Sequence, residues 1–328
     1  MVAGEIYEWY GYRSADRSPE AFTAALEKSC PFVGGRCTKQ GGVCSVKLHA
    51  SQEITPVCPK RLYFEHFKVL KTIANEAFRK FELVRELDGS PTLIAGSALR
   101  HQKSTRPGMY RVAVFGQGWG AEIKLPPAVI GGSRYSVDFT LVVVDDQSNL
   151  CEFVPVEVQT IDTTDSYKIS LAALRDDREI VPSRVGLNWE NVNKRILPQL
   201  IVKGLMLQAE EKCSKGMYFV TPESVFKRIL ARLGGESRLR KLPNQPGSIT
   251  FFRYQHDIGA ASPQGYVVPM RKEMSLTIST SDMSLAFISP QNLPPVGAYE
   301  AEIAQKIGVA AREERLAIDF PNGTPENL

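Results

Sequence analysis

A chain of 328 residues is long enough for one large domain or two ordinary ones, and either can bury a substantial core. With 43% hydrophobic and 23% charged residues the composition excludes a disordered chain. The net charge of +4 is too small to establish a polyanion partner.

The opening Met1-Val-Ala-Gly-Glu-Ile-Tyr-Glu-Trp-Tyr10 lacks the basic-then-apolar pattern of an export signal. No segment approaches the roughly 18 consecutive apolar residues of a membrane span. A cytoplasmic protein with no membrane contact is expected. Residues 1–60 are rich in Gly, Cys and Pro and read as loops, apart from a short helix near Pro19–Lys28 that Ser18-Pro19-Glu20 would start. The clearest helical stripe follows over 61–87: Phe67, Leu70, Ile73, Ala74, Ala77, Phe78, Phe81, Val84 and Leu87, ended by Asp88-Gly89-Ser90-Pro91.

Beyond a polar, basic loop at 100–106, the texture changes to strands at Tyr110–Phe115, Ala121–Leu125, Tyr135–Val144 and Cys151–Ile161. Asp145-Asp146-Gln147-Ser148-Asn149 joins the last two, which predicts an antiparallel hairpin. Helices are expected at Ser166–Arg178, Asn191–Lys212 and Pro222–Leu233, strands at Gly216–Val220 and Ser248–Arg253, and a frayed tail over the last dozen residues. Strands flanked by helices argue for a layered α/β or α+β core. Between Ser224 and Glu273 nine Lys/Arg stand against three acids, a local basic excess that fits either a nucleic-acid contact surface or a solvated face.

Two constellations carry chemistry. Asp138 interrupts an apolar strand, and Glu157 does the same one hairpin arm away in Phe153-Val-Pro-Val-Glu-Val-Gln-Thr-Ile-Asp162. Side chains alternate along a strand, so Glu157 and Gln159 share one face while Val156 and Val158 share the other. Two facing carboxylates repel unless a cation lies between them, and Mg²⁺ suits carboxylates, water and phosphate oxygens. The alternative is a strand acid that faces solvent. The second constellation is Cys30, Cys37, Cys44 and Cys58, spaced C-x6-C-x6-C-x13-C. In a reducing compartment four such thiols favour a tetrahedral Zn²⁺ or a single iron over disulfides, or else are unrelated buried thiols. Four protein ligands leave no open position, so the role would be structural.

The string Val156-Glu-Val-Gln-Thr-Ile-Asp-Thr-Thr164, preceded by Asp138 and by the four-cysteine segment, resembles the NotI-type restriction endonucleases, a branch of the PD-(D/E)xK nuclease superfamily. The resemblance implies an α/β PD-(D/E)xK core over 61–328, a mixed central sheet flanked by helices with DNA-recognition elements partly in the C-terminal third. The module over 1–60 would pack on it. It implies a homodimeric, Mg²⁺-dependent type II endonuclease that cuts both strands of a GC-rich palindrome in double-stranded DNA. Asp138 and Glu157 would be metal ligands, the backbone carbonyl of Val158 would complete the shell, and Gln159 would stand where the superfamily has a lysine. The four cysteines would hold iron, with zinc as the alternative. A Gln can orient water through its amide but carries no charge. Lys124 and Lys168 are the candidates for a replacement cation. The competing expectation is a non-catalytic DNA-binding protein stabilised by the four-cysteine metal site.

Overall fold

The computed structural model describes residues 4–99, 101, 107–124, 134–164, 167–259, 262–289 and 294–307. The basic loop at 100–106, except His101, and the tail beyond Ile307 lie outside them.

Residues 1–60, expected as loops, instead carry a four-stranded antiparallel sheet. Its strands β1 (Gly4–Trp9), β2 (Tyr12–Arg13), β3 (Val43–Leu48) and β4 (Ile54–Pro56) lie in the order β2-β1-β3-β4. Helix α1 (Pro19–Glu27) interrupts them, with the Ser18 hydroxyl accepting the Ala21 amide at 3.2 Å and Pro19 in its first turn. The sheet escaped the apolar alternation because the inward position beside Ile6 in β1 is Glu8, an acid whose partner, Arg61, lies 53 residues away. Ile6, Val43 and Val46 share one apolar core with Leu197 and Leu200, so the segment has no separate interior.

A short tight turn at Pro59–Tyr63 leads into α2 (Phe64–Ala77), which stops far short of the expected residue 87. Leu83 bridges to Tyr110 and Arg85 to Pro91, and the Asp88 carboxylate accepts the Ser90 amide at 2.8 Å in a reversing turn. Leu87 is fully exposed. The apolar spacing beyond Phe78 had the helical period without helical backbone.

The central sheet follows: β5 (Leu93–Ala95), β6 (Arg111–Gly116), β7 (Phe139–Val144) and β8 (Leu150–Val158). The predicted β7–β8 hairpin forms, with Phe139 opposite Val156 and Leu141 opposite Val154. Its turn is held by the Asp145 carboxylate, which accepts the amides of Gln147 and Asn149 at 3.0 and 2.7 Å. Of the expected strand at 121–125 only a bridge between Lys124 and Ser136 is present, Leu125 being outside the described residues.

Next come β9 (Thr163–Thr164), α3 (Lys168–Asp176) and β10 (Gly186–Leu187). A wide π-turn at Val192–Ile196 runs into α4 (Leu197–Leu207). Then follow β11 (Met217–Pro222), α5 (Glu223–Arg232), β12 (Ser248–His256), β13 (Met270–Lys272), β14 (Leu276–Ser279) and α6 (Thr280–Ile288). The eight-stranded sheet has the order β13-β12-β11-β8-β7-β6-β5, with β14 also beside β12. Strands β8, β11 and β12 are parallel and the β7–β8 hairpin antiparallel, so the sheet is mixed and helices cover both faces.

One face, with Val154, Val156, Val158, Val220 and Phe252, packs on α2; the other, with Phe219, Ile249 and Phe251, packs on α4, α5 and α6. The chain divides into Met1–Pro290 and Gln291–Leu328. The second unit contributes α7 (Ala298–Lys306). Among the described residues no helix is long and apolar enough to cross a membrane.

Candidate active site

The hairpin register sets the site. Because Phe139 lies opposite Val156, the next pair outward is Asp138 and Glu157, one at the mouth of β7 and the other near the end of β8. Asp138 therefore stands just before its strand rather than inside it. Its Oδ2 accepts the backbone amide of Val158 at 2.7 Å, which fixes the carboxylate across the hairpin. Glu157 points to the opposite face from Val156 and Val158, toward α4, as the alternation requires.

There it meets Lys203, whose Nζ donates to Glu157 Oε1 at 2.7 Å with both side chains about nine-tenths buried. The second oxygen, Oε2, is buried without a hydrogen-bond partner. Burial, reinforced by the charge of Asp138, pushes the Glu157 carboxyl up to about 7 despite Lys203. Burial likewise raises Asp138, and the Val158 amide and Lys203 work against it.

Exposed Glu122 also raises Asp138, a third carboxylate that the sequence reading passed over. Tyr63 completes the wall. Burial and the charges of Asp138, Cys58 and Glu157 keep its phenol protonated, and its ring meets Phe139 edge-on at 5.3 Å.

Gln159 follows just past the end of β8. Its Nε2 donates to the Thr160 carbonyl at 3.0 Å, and it lines a small cleft with Asp162, Asn191, Arg195 and Gln199. Of the proposed replacement cations, Lys124 sits exposed at the bridge to Ser136, and Lys168 lines a separate groove with Gln40, Gly41, Tyr167 and Arg175. The cation that bears on both carboxylates is Lys203. Sequence reasoning missed it because a single Lys in the apolar run Leu197-Pro-Gln-Leu-Ile-Val-Lys-Gly-Leu-Met-Leu207 reads as a chain reaching out to solvent.

An orphaned carboxylate oxygen beside a second carboxylate fits a divalent cation, which would take Glu157 Oε2 and Asp138. The Val158 amide fixes Asp138, and its carbonyl is the remaining candidate ligand.

The four cysteines converge as two pairs. Ser29 and Arg36 bridge the loop that carries Cys30 and Cys37, and the Cys44 carbonyl accepts the Val57 and Cys58 amides at 2.9 and 3.2 Å. All four are free thiols. Backbone amides of Gly11 and Lys60 are directed at the sulfurs of Cys44 and Cys58, while burial pushes both thiols up. Cys37 and Cys30 add to the rise at Cys58, so the two pairs are neighbours. The donor chemistry suits a thiophilic metal. No group of three or more His, Cys, Asp or Glu among the described residues is arranged to hold an ion, so a closed shell requires the pairs to draw together.

The basic excess between Ser224 and Glu273 is largely engaged within the protein. Arg240 pairs with Asp282 at 2.9 Å, Lys241 with Glu236 at 2.6 Å, and Arg253 with Glu223 at 3.3 Å. Lys272 lies 3.6 Å from Glu76, and Arg228 and Arg232 lie over the rings of Trp189 and Phe287. Arg240 and Lys241 stay exposed within their pairs, whereas Arg253 is largely buried in its own. No protein-family model matches the chain, and no curated protein matches it.

Proposed function

We propose that the chain is a Mg²⁺-dependent endonuclease that hydrolyses both strands of double-stranded DNA at a GC-rich palindrome, acting as a homodimer. The observation that carries the reading is the facing pair of a half-buried Asp138, fixed by the Val158 amide, and a buried Glu157, left with an unpartnered Oε2. Two partly desolvated acids that face each other repel, and Lys203 bonds to only one oxygen of Glu157, so a further cation would relieve the pair. A strand pair that served only stability would carry apolar residues at these positions.

A bound Mg²⁺ would polarise the phosphodiester and acidify the attacking water. The chain's own residues supply the rest. Asp138 and Glu157 would hold the ion, the Val158 amide keeps Asp138 aimed, and the wall of Tyr63 and Phe139 excludes bulk water on the α2 side. Gln159 orients water or phosphate through its amide, which needs only to leave the Thr160 carbonyl. Attack of water on phosphorus then breaks one P–O ester bond, leaving a hydroxyl on one fragment and a phosphate on the other. Palindrome cleavage calls for two copies related by a two-fold axis. Iron in the four-cysteine site, or zinc, would hold the 1–60 sheet against the core.

The test is incubation with plasmid and genomic DNA in Mg²⁺. Discrete fragments are expected, and Asp138→Ala and Glu157→Ala should each abolish cutting while retaining DNA binding in Ca²⁺. Binding that falls steeply with salt but never breaks a strand would favour the non-catalytic alternative.

A further inference from the structure

Lys203 is the only charged residue of α4. It leaves the helix on its buried side, where Leu200, Ile201, Gly204 and Leu207 enter the core, and is itself 7% exposed. A lysine in that position is costly unless its charge has a task. Helix α4 lies tight against the start of α6: a Cβ at Gly204 would lie 2.6 Å from Thr280 Oγ1, so the glycine beside Lys203 permits the close approach. The ammonium is thus delivered by a closely packed helix to one oxygen of Glu157 and leaves the other without a partner.

We propose that Lys203 is the cation of this site, carried on α4 instead of on the β8 strand: it holds Glu157 Oε1 so that Oε2 faces the metal, and it neutralises a non-bridging oxygen of the scissile phosphate. The inference rests on the endonuclease reading. Lysine suits the role as a compact charge with three donors, one for Glu157 and two that remain for a phosphate. Gln159 at the strand position then needs no charge, and its amide is left to orient water.

The alternative is a lysine that merely neutralises Glu157. Metal and chemistry separate the two roles. With Lys203→Met, Glu157 loses a competitor for its negative charge, so Mn²⁺, titrated directly by calorimetry or paramagnetic resonance, should bind at least as tightly as to the wild type. Cleavage at saturating Mn²⁺ or Mg²⁺ should nevertheless fall by about 10²-fold or more. Lys203→Arg, which keeps the charge, should recover a large part of that loss. Lys194→Met, at an exposed pair with Glu190 near the start of the same helical segment, should cut normally.

Full cleavage by Lys203→Met at saturating metal, while the wild type cuts DNA, would overturn the inference alone. A wild type that cuts no DNA with any divalent metal would overturn the endonuclease reading, and the role of Lys203 with it. If Lys203→Met does not fold, Lys203→Gln keeps a donor toward Glu157 without the charge and should show the same loss; normal cutting by it would equally refute the assignment.

Discussion

Glu8 and Arg61 meet with neither side chain exposed to solvent, the guanidinium Nε lying 2.8 and 3.0 Å from the two carboxylate oxygens. Ser45 and His256 close the same carboxylate at 2.5 and 2.9 Å, and Arg61 also donates to the Val268 carbonyl at 2.5 Å. One charge thereby ties β1, β3, the turn before α2 and β12 together, and so fastens the first sixty residues to the end of the central sheet.

Breaking that pair leaves a buried charge alone. Arg61→Met should destabilise the protein by about 3–5 kcal/mol, read as a shift of the urea midpoint at constant slope. Glu8→Gln also leaves the Arg61 charge without its counter-ion and should cost a comparable amount, although its amide oxygen can still accept from the guanidinium.

Acid should attack the same place. Burial alone would raise Glu8, but Arg61 and His256 outweigh it and hold the carboxyl at about 2, below its ordinary 4.5. A depressed carboxyl contributes stability that is present above pH 4.5 and lost as pH falls toward 2. Unfolding scans of the wild type and Glu8→Gln should therefore converge through that window. Parallel curves would show that Glu8 is not the acid-sensitive group.

The carboxylate pair behaves in the opposite sense. Burial and Asp138 raise Glu157 to about 7, so its proton is bound more tightly in the folded state. The metal-free protein should lose stability as pH rises from 4.5 through 7, and metal binding, which needs the ionised form, should strengthen over the same range. Asp138→Asn removes one charge of the pair. It should raise stability at pH 8 by about 1–2 kcal/mol while abolishing cleavage, the signature of a site that gives up stability for function.

A local strain gives an independent check on the backbone. Glu65, His66 and Phe67 at the start of α2 hold left-handed φ values of 49, 52 and 64°. Such a conformation costs about 1–2 kcal/mol for a residue with a Cβ. The His66 side chain is exposed, so His66→Gly should stabilise the protein by about 1 kcal/mol in thermal melts, net of glycine's own entropy cost.

Metal analysis addresses the cysteines. Protein grown with iron should carry roughly one iron per chain, and Cys44→Ser or Cys58→Ser should lose it and melt earlier by an equivalent of about 3 kcal/mol or more. Retention of the native melting curve after exhaustive chelation would refute a structural metal.

The hairpin and its acids were legible in the sequence because their information is local. Asp145 to Asn149 specifies the turn, and period-two alternation then places Asp138 opposite Glu157. Long-range compensation was not legible. Glu8 hid a strand because its partner Arg61 is distant, and Lys203 carried no local signal because its partner Glu157 is 46 residues away. The apolar run past Phe78 kept a helical period while the chain paired with Tyr110 and Pro91, which spacing alone cannot distinguish. The basic count between Ser224 and Glu273 could not reveal that Glu76, Glu223 and Asp282 face those cations.

Sequencing the DNA ends produced by the protein in Mg²⁺ from a genome of known sequence decides whether Asp138 and Glu157 serve a site-specific nuclease. The ends should collapse onto one GC-rich palindrome and be lost with Asp138→Asn and Glu157→Gln. Ends scattered without a shared sequence, or no new ends at any Mg²⁺ or Mn²⁺ concentration, would contradict that role.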